Sequence, residues 1–130
     1  MANELTKKEE SAVAVLQSTS LGDIIKPLVK EIYLFDSYIA GTTHIPDKSV
    51  LTGLKVGEML QLQREQNEFD DNAIMILTDS GIKVGYVPEK DNIVFARLMD
   101  AGKLLKAKIT RIDYRDSFTR IGIGIYLIDF

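Results

Sequence analysis

The chain contains no cysteine, no tryptophan, one histidine and only three prolines in 130 residues. Without cysteine there is no disulfide framework, no thiol nucleophile and no cysteine-ligated zinc. With His44 as the only imidazole, no site that needs two can form. Charge of one sign is also scarce. Sixteen Lys plus Arg against nineteen Asp plus Glu leave a net charge of −3. That is not the footprint of a strongly basic, non-specific duplex binder, although it leaves room for a small local nucleic-acid pocket. No apolar run approaches the ~20 residues of a membrane span. The opening MANELTKKEES has no apolar stretch of the signal-peptide kind. A soluble cytoplasmic protein without membrane association is therefore expected. The chain is 45% hydrophobic and 27% charged, the balance of a folded globular domain. At this length a single domain can bury roughly two-thirds of its unfolded surface.

Residues 1–30 read as a helical extension packed on the domain. Thr6 and Glu9 form a capping-box pattern, and Ala12, Val13, Val15 and Leu16 supply an apolar side. From residue 31 the character changes to aromatic and β-branched residues, which favour strands. Strands are expected at 32–35 with 38–40, at 59–64, at 73–78, at 82–86, at 105–109 and at 121–128. The last is the clearest, with Ile121, Ile123, Ile125 and Leu127 alternating against Gly122, Gly124, Tyr126 and Ile128. Gly41 to Asp47 reads as a loop and Val50 to Val56 as a connector. Asp79-Ser80-Gly81 is a hairpin turn by composition, and a second turn is expected near Ser117. Gly85 inside a strand signals a close backbone approach or a bulge. The best helix runs from Asp91 to Ala101, with Val94, Leu98 and Ala101 on one stripe, Phe95 and Met99 beside it, and Gly102 at the position of a C′ glycine. Short strands at close spacing around one inserted helix predict a mainly β (α+β) domain over 31–130. Its form is a small antiparallel barrel or strongly curled sheet of about six strands.

Catalytic patterns are poor. No G-x-S-x-G elbow accompanies His44, and Gly122-Ile123-Gly124 lies inside a strand with no helix following, so it is no phosphate loop. Asp70-Asp71-Asn72 lacks the alternating oxygens and the glycine of a calcium loop. A non-catalytic module needing neither metal nor cofactor is expected. The cluster has two readings, as Asx caps of a turn or as ligands. Phe69 likewise reads as a lid on the core or as a stacking platform, and Tyr86 as core or contact.

Three segments carry a resemblance: Ala40-Gly41-Thr42-Thr43-His44, then Arg64 to Ile74 (REQNEFDDNAI), then Gly81 to Pro88 (GIKVGYVP). In this order and spacing, over about residues 31–113, they resemble the HIRAN family. Asn-x-aromatic-Asp-x-Asn-Ala-Ile is the most specific piece. The resemblance implies an OB-like β-barrel and, by analogy with fork-remodelling helicases that carry the module, binding of single-stranded DNA at its 3′-hydroxyl end in repair or replication-related processing. Carried over residue by residue, it puts Asp70 at the acceptor for the terminal hydroxyl, Phe69 at the turn aromatic and Asn67 at the turn Asn. Thr43 and His44 fall in the loop before, Tyr86 follows the strand glycine, and Arg64 and Lys90 are basic residues placed to meet phosphate. Thr43 stands where those modules carry Arg, His44 where they carry an aromatic, and Asp71 where they carry a basic residue. The other expectation is a protein-interaction module, an adaptor or homo-oligomer, paired through residues 12–29 or through an open edge of the C-terminal strand.

Overall fold

The computed structural model describes residues 29–45, 47–115 and 119–129. Of the expected helical extension over residues 1–30, residues 1–28 lie outside the described residues, as does the turn at Ser117, while Lys30 already opens a strand. Six strands follow in order: β1 (Lys30–Tyr38), β2 (Met59–Arg64), β3 (Ile74–Leu77), β4 (Lys83–Tyr86), β5 (Leu104–Tyr114) and β6 (Thr119–Asp129). The inserted helix, α2, spans Glu89–Asp100. Between β1 and β2 lie a 3₁₀ turn (Thr42–His44) and a four-residue helix, α1 (Ser49–Thr52). These two replace the loop and connector expected there. Elements this short have no room for a helical period, so hydrophobic patterning does not reveal them. What makes α1 is local: the Asp47 carboxylate accepts from both the Ser49 N–H (3.0 Å) and the Ser49 hydroxyl (2.6 Å).

The strands form one sheet in the order β1-β6-β5-β2-β3-β4, with antiparallel pairing between β2 and β3, β2 and β5, β3 and β4, and β5 and β6. Alternation sets the inner face as expected. Ile121, Ile123 and Ile125 are fully buried, and they meet Leu105, Ala107, Ile109, Leu60, Ile74, Ile76 and Val84 in one core. A bulge at Thr110 puts Arg111 opposite Gly122, and the Thr110 side chain lies over both Gly122 and Gly124. The bare backbone on that face thus accommodates the bulge and the curl of the sheet. The C-terminal strand offers no open edge, because β6 is flanked by β1 on one side and β5 on the other. Placing two long, strongly alternating strands at the sheet interior, where both edges are paired, is what keeps them from pairing elsewhere.

Helix α2 begins two residues earlier than its apolar pattern indicates, directly after Pro88, and it is turned relative to the expected stripe. Its buried residues are Asn92, Phe95 and Ala96, with Leu98 and Met99 half-buried, while Val94 is 60% exposed and Ala101 is exposed. The contact face is the i, i+3, i+4, i+7 set that starts at a polar residue, Asn92, which an apolar count skips. The helix ends as expected. Gly102 has φ +92°, its N–H donates to the Met99 carbonyl (2.9 Å) and the Lys103 N–H donates to the Leu98 carbonyl (3.0 Å), a Schellman closure.

The sheet is curled rather than closed as a continuous ladder. Its edges meet at one corner, just past β1. The Ile39 N–H donates to Ile121 of β6 (2.9 Å), and Ala40 and Tyr86 then exchange two backbone bonds of 2.8 and 2.9 Å. Residues 39–40 thereby tie the β6 side of the molecule to β4, giving the small barrel of the sequence reading its only seam among the described residues. Gly85 makes this approach feasible. A Cβ at 85 would stand 2.5 Å from the Ala40 carbonyl oxygen and would overlap Ile39 Cγ2.

Gly85→Ala is expected to destabilise the domain by about 3 kcal/mol, the upper end for overpacking, since the obstructing atom is a bonded backbone oxygen rather than a yielding side chain. Urea unfolding checks this; an unchanged midpoint would show that the seam tolerates a side chain.

Candidate functional site

Arg64 and Ile74 are the last pair at the loop end of the β2–β3 hairpin, so residues 65–73 form its loop. Two Asx turns shape that loop. Asn67 Oδ1 accepts the Phe69 N–H (2.8 Å) and Asp70 Oδ1 accepts the Asn72 N–H (2.8 Å). Arg64 clasps it from the side: Nη1 donates to the Ala73 carbonyl (2.6 Å), Nη2 to the Asp71 carbonyl (2.7 Å) and Nε to Asp100 Oδ1 (2.9 Å). That guanidinium holds the Asp100 carboxyl below the ordinary carboxylate range, chiefly through the hydrogen bond. Arg64, expected to meet phosphate, is not among the residues brought to the cleft described next. Its donors are spent on the loop and on the last turn of α2.

With the loop so held, Phe69 projects outward and is 86% exposed. This excludes the core-lid reading, since a phenyl ring in water contributes nothing to a core. Asp70 is half-buried, and its second oxygen, Oδ2, accepts from Asn92 Nδ2 (2.8 Å), an amide that is 98% buried by its 2% exposure. The cap and ligand readings of Asp70 are compatible: each oxygen takes one internal hydrogen bond, and a carboxylate oxygen has a further lone pair.

Phe69, Asp70 and Asn67 form one wall of a cleft of about 650 Å³. The seam supplies the rest: Tyr38, Ala40, Gly41 and His44 from the end of β1 and the 3₁₀ turn, and Tyr86 through Lys90 from the end of β4 and the start of α2. Six of the eight expected site residues, His44, Asn67, Phe69, Asp70, Tyr86 and Lys90, are brought together there. Thr43 is not. It is exposed on the 3₁₀ turn, outside the lining, and its carbonyl accepts from Lys48 Nζ (2.6 Å), which also bonds the Thr42 carbonyl (2.9 Å). Gly41, with φ +75°, supplies the left-handed residue that starts this turn and sets His44 at the rim.

Tyr86 is a cleft residue with a wired hydroxyl rather than a core residue. Its O–H donates to Glu65 Oε1 (2.7 Å) and accepts from Lys83 Nζ (2.5 Å), while the Lys83 ammonium lies 4.2 Å from the Tyr86 ring centroid and 3.8 Å from Glu65 Oε2. Lys83 is thus neutralised locally, and Lys90 remains as the cation at the rim, 5.4 Å from the Tyr38 ring. The Glu65 carboxyl is held below its ordinary range, first by the Tyr86 hydroxyl, then by the Asn67 amide and Lys83. Among the described residues no group of three or more His, Asp or Glu could hold a metal ion, and no helix is long and apolar enough to cross a membrane. Sequence reasoning missed Tyr38, Glu65 and Asn92. The available signal for Asn92 was its spacing three and four residues before Phe95 and Ala96.

A glutamate whose pKa is depressed on folding adds stability that is fully present above its unfolded pKa and is lost as pH falls through the folded one. Thermal melts over an acid series should therefore show the wild-type melting temperature dropping across that window, with a shallower drop in Glu65→Gln. Parallel curves would remove Glu65 from the acid response.

The profile of the HIRAN domain family matches residues 32–127. Among solved structures, the chain is similar to a protein from Lactobacillus plantarum at 30% identity, with a TM-score of 0.72 over 78% of this chain and 99% of that one. It is also similar in fold to the crystal structure of the HIRAN domain of human HLTF at 19% identity, with a TM-score of 0.60 over 75% of this chain and 78% of that one. An NMR structure of the HLTF HIRAN domain gives 20% identity and a TM-score of 0.53 over the same shares. No curated protein matches the sequence significantly. A family profile spanning most of the chain, a 30% identical relative of matching extent and the curled six-stranded sheet agree, and the chain belongs to the HIRAN family.

Proposed function

We propose that this chain is a non-catalytic module that binds single-stranded DNA and seats the strand's 3′-hydroxyl end in the cleft between the β2–β3 loop and the seam. The observation that carries the reading is Phe69, an aromatic ring 86% exposed beside a carboxylate, Asp70, held in place from two sides. An exposed ring is a platform for a terminal base, worth roughly 1–3 kcal/mol per stacked base and indifferent to sequence. A fixed carboxylate accepts a hydrogen bond from a terminal hydroxyl and repels a terminal phosphate, so it discriminates by what it rejects as well as by what it binds. Tyr38, His44 and Tyr86 line the same space, and Lys90 supplies positive charge at its rim.

Few cations remain available, because Arg64 and Lys83 are committed to the loop and to Glu65. Affinity then rests on stacking and hydrogen bonding more than on counterion release. The salt dependence should be shallow, since each phosphate neutralised on a single strand adds only about 0.7 to the slope of log K against log salt.

Fluorescence anisotropy with a 3′-hydroxyl single strand, a 3′-phosphate single strand and a blunt duplex tests the reading. The 3′-hydroxyl strand should bind best. Phe69→Ala should weaken it by roughly 1–3 kcal/mol. Asp70→Asn, which retains an acceptor for the Asn72 N–H, should erase the preference for hydroxyl over phosphate. Equal binding of all three ligands, or variants that behave as wild type, would sink the assignment. Absence of binding would favour the protein-interaction reading instead, for which the half-exposed apolar groove of Leu34, Phe35, Ile93, Val94 and Leu98 between β1 and α2 is the surface to examine.

A further inference from the structure

We infer that the nucleic-acid path does not stop at the end-binding cleft but continues over Tyr38 into a second groove, where Arg120 and Lys90 receive the phosphates of nucleotides on the 5′ side of the captured end. The inference rests on the reading above and extends it from an end pocket to a defined footprint.

The second groove, of about 210 Å³, lies where the end of β1, the start of β6 and the first turn of α2 come together. Tyr38 and Lys90 line both it and the end-binding cleft, so the two spaces adjoin across this pair. Two cations converge on the Tyr38 ring: the Arg120 guanidinium at 4.5 Å from the centroid and the Lys90 ammonium at 5.4 Å. Each is attracted to the ring, and both line the second groove, so an anion seated there meets positive charge from both. Among the described residues the ion pairs engage Arg64, Lys83, Lys108 and Arg111, and neither Lys90 nor Arg120.

Two acids, Asp36 and Asp91, also line the groove. Asp91 accepts from the Ser37 hydroxyl (2.9 Å), and Asp36 lies near enough to the Tyr33 hydroxyl to raise its pKa. Arg111, also in the lining, is paired with Asp113 at 3.0 Å, and Asp113 faces Arg120 across the β5–β6 ladder. Gly122 is also in the lining, with the Thr110 side chain packed over it. A fork-shaped guanidinium beside an aromatic ring suits a phosphodiester with an adjoining base. The polarity follows from the cleft. With the 3′ hydroxyl at Asp70, the chain that leaves past Tyr38 runs toward its 5′ end.

Length dependence tests this. Oligothymidines with a 3′ hydroxyl, of two, four, six and eight nucleotides, are titrated into the full chain and into Arg120→Gln and Arg120→Lys. Arg120 is exposed, so neither substitution threatens the core. Wild-type affinity should rise several-fold between the shortest and the longer strands and then level off. Arg120→Gln should abolish the rise while binding the dinucleotide as wild type does, and should lower the salt slope for the longest strand by about 0.7. Arg120→Lys should restore part of the gain. Wild-type affinity independent of length, or a loss in Arg120→Gln that is equal for short and long strands, overturns the second groove while leaving the end-binding cleft standing. A dinucleotide that fails to bind, or binds without regard to its 3′ group, overturns the end-binding reading itself.

Discussion

Two backbone hydrogen bonds between Ala40 and Tyr86, made over a glycine with no side chain, are the constraint on which the rest of this molecule depends. They join opposite edges of a curled sheet at one corner, and every part of the candidate site hangs from that corner. The segment before the seam carries Tyr38. The segment after it turns through Gly41 to present His44. The strand on the other side ends in Tyr86 and leads through Pro88 into Lys90 and helix α2. An ordinary β-hairpin would place these residues far apart. Curling the sheet by bulges at Thr110 and in β4 brings its edges close enough for the seam to form.

The second organising feature is polar wiring around the β2–β3 loop. Arg64 satisfies two loop carbonyls and the carboxylate at the end of α2, while Asn92, buried in the first half of the same helix, bonds Asp70. Hydrogen bonds to charged groups contribute roughly 1.5–3 kcal/mol each, more than neutral ones. The loop is thereby fastened to the helix at two points. Its one large apolar side chain, Phe69, is left in water, where folding gains nothing from it. A rigid loop that exposes a phenyl ring is organised for contact rather than for packing.

Electrostatics assigns roles that residue type does not. Four basic residues lie near the cleft or its supporting loop, yet Arg64 is a clasp and Lys83 is neutralised by Glu65 within a Lys83–Tyr86–Glu65 relay. Lys90 and Arg120 are instead exposed and gathered on the Tyr38 ring, and neither is in an ion pair among the described residues.

Much of this was legible in the residues. The alternation of Ile121, Ile123 and Ile125, the glycine inside β4, the helix stop at Gly102 and the Asn67-x-Phe69-Asp70 turn each act through near neighbours in the chain, and each is found as its pattern indicates. The sequence by itself determined the curled β domain, the order of its elements and the adjacency of an aromatic and a carboxylate in one loop, because these follow from local periodicity and turn chemistry. Only the tertiary structure decided which face of α2 turns inward, that β6 has no free edge, that Arg64 and Thr43 stand apart from the cleft, and that Tyr38, Asn92 and Arg120 stand at the cleft and its surroundings. Those outcomes depend on contacts between residues far apart in the chain, such as Asn92 with Asp70 and Arg64 with Asp100. No pattern along a single segment encodes a partner that arrives only when the sheet curls and its two edges meet.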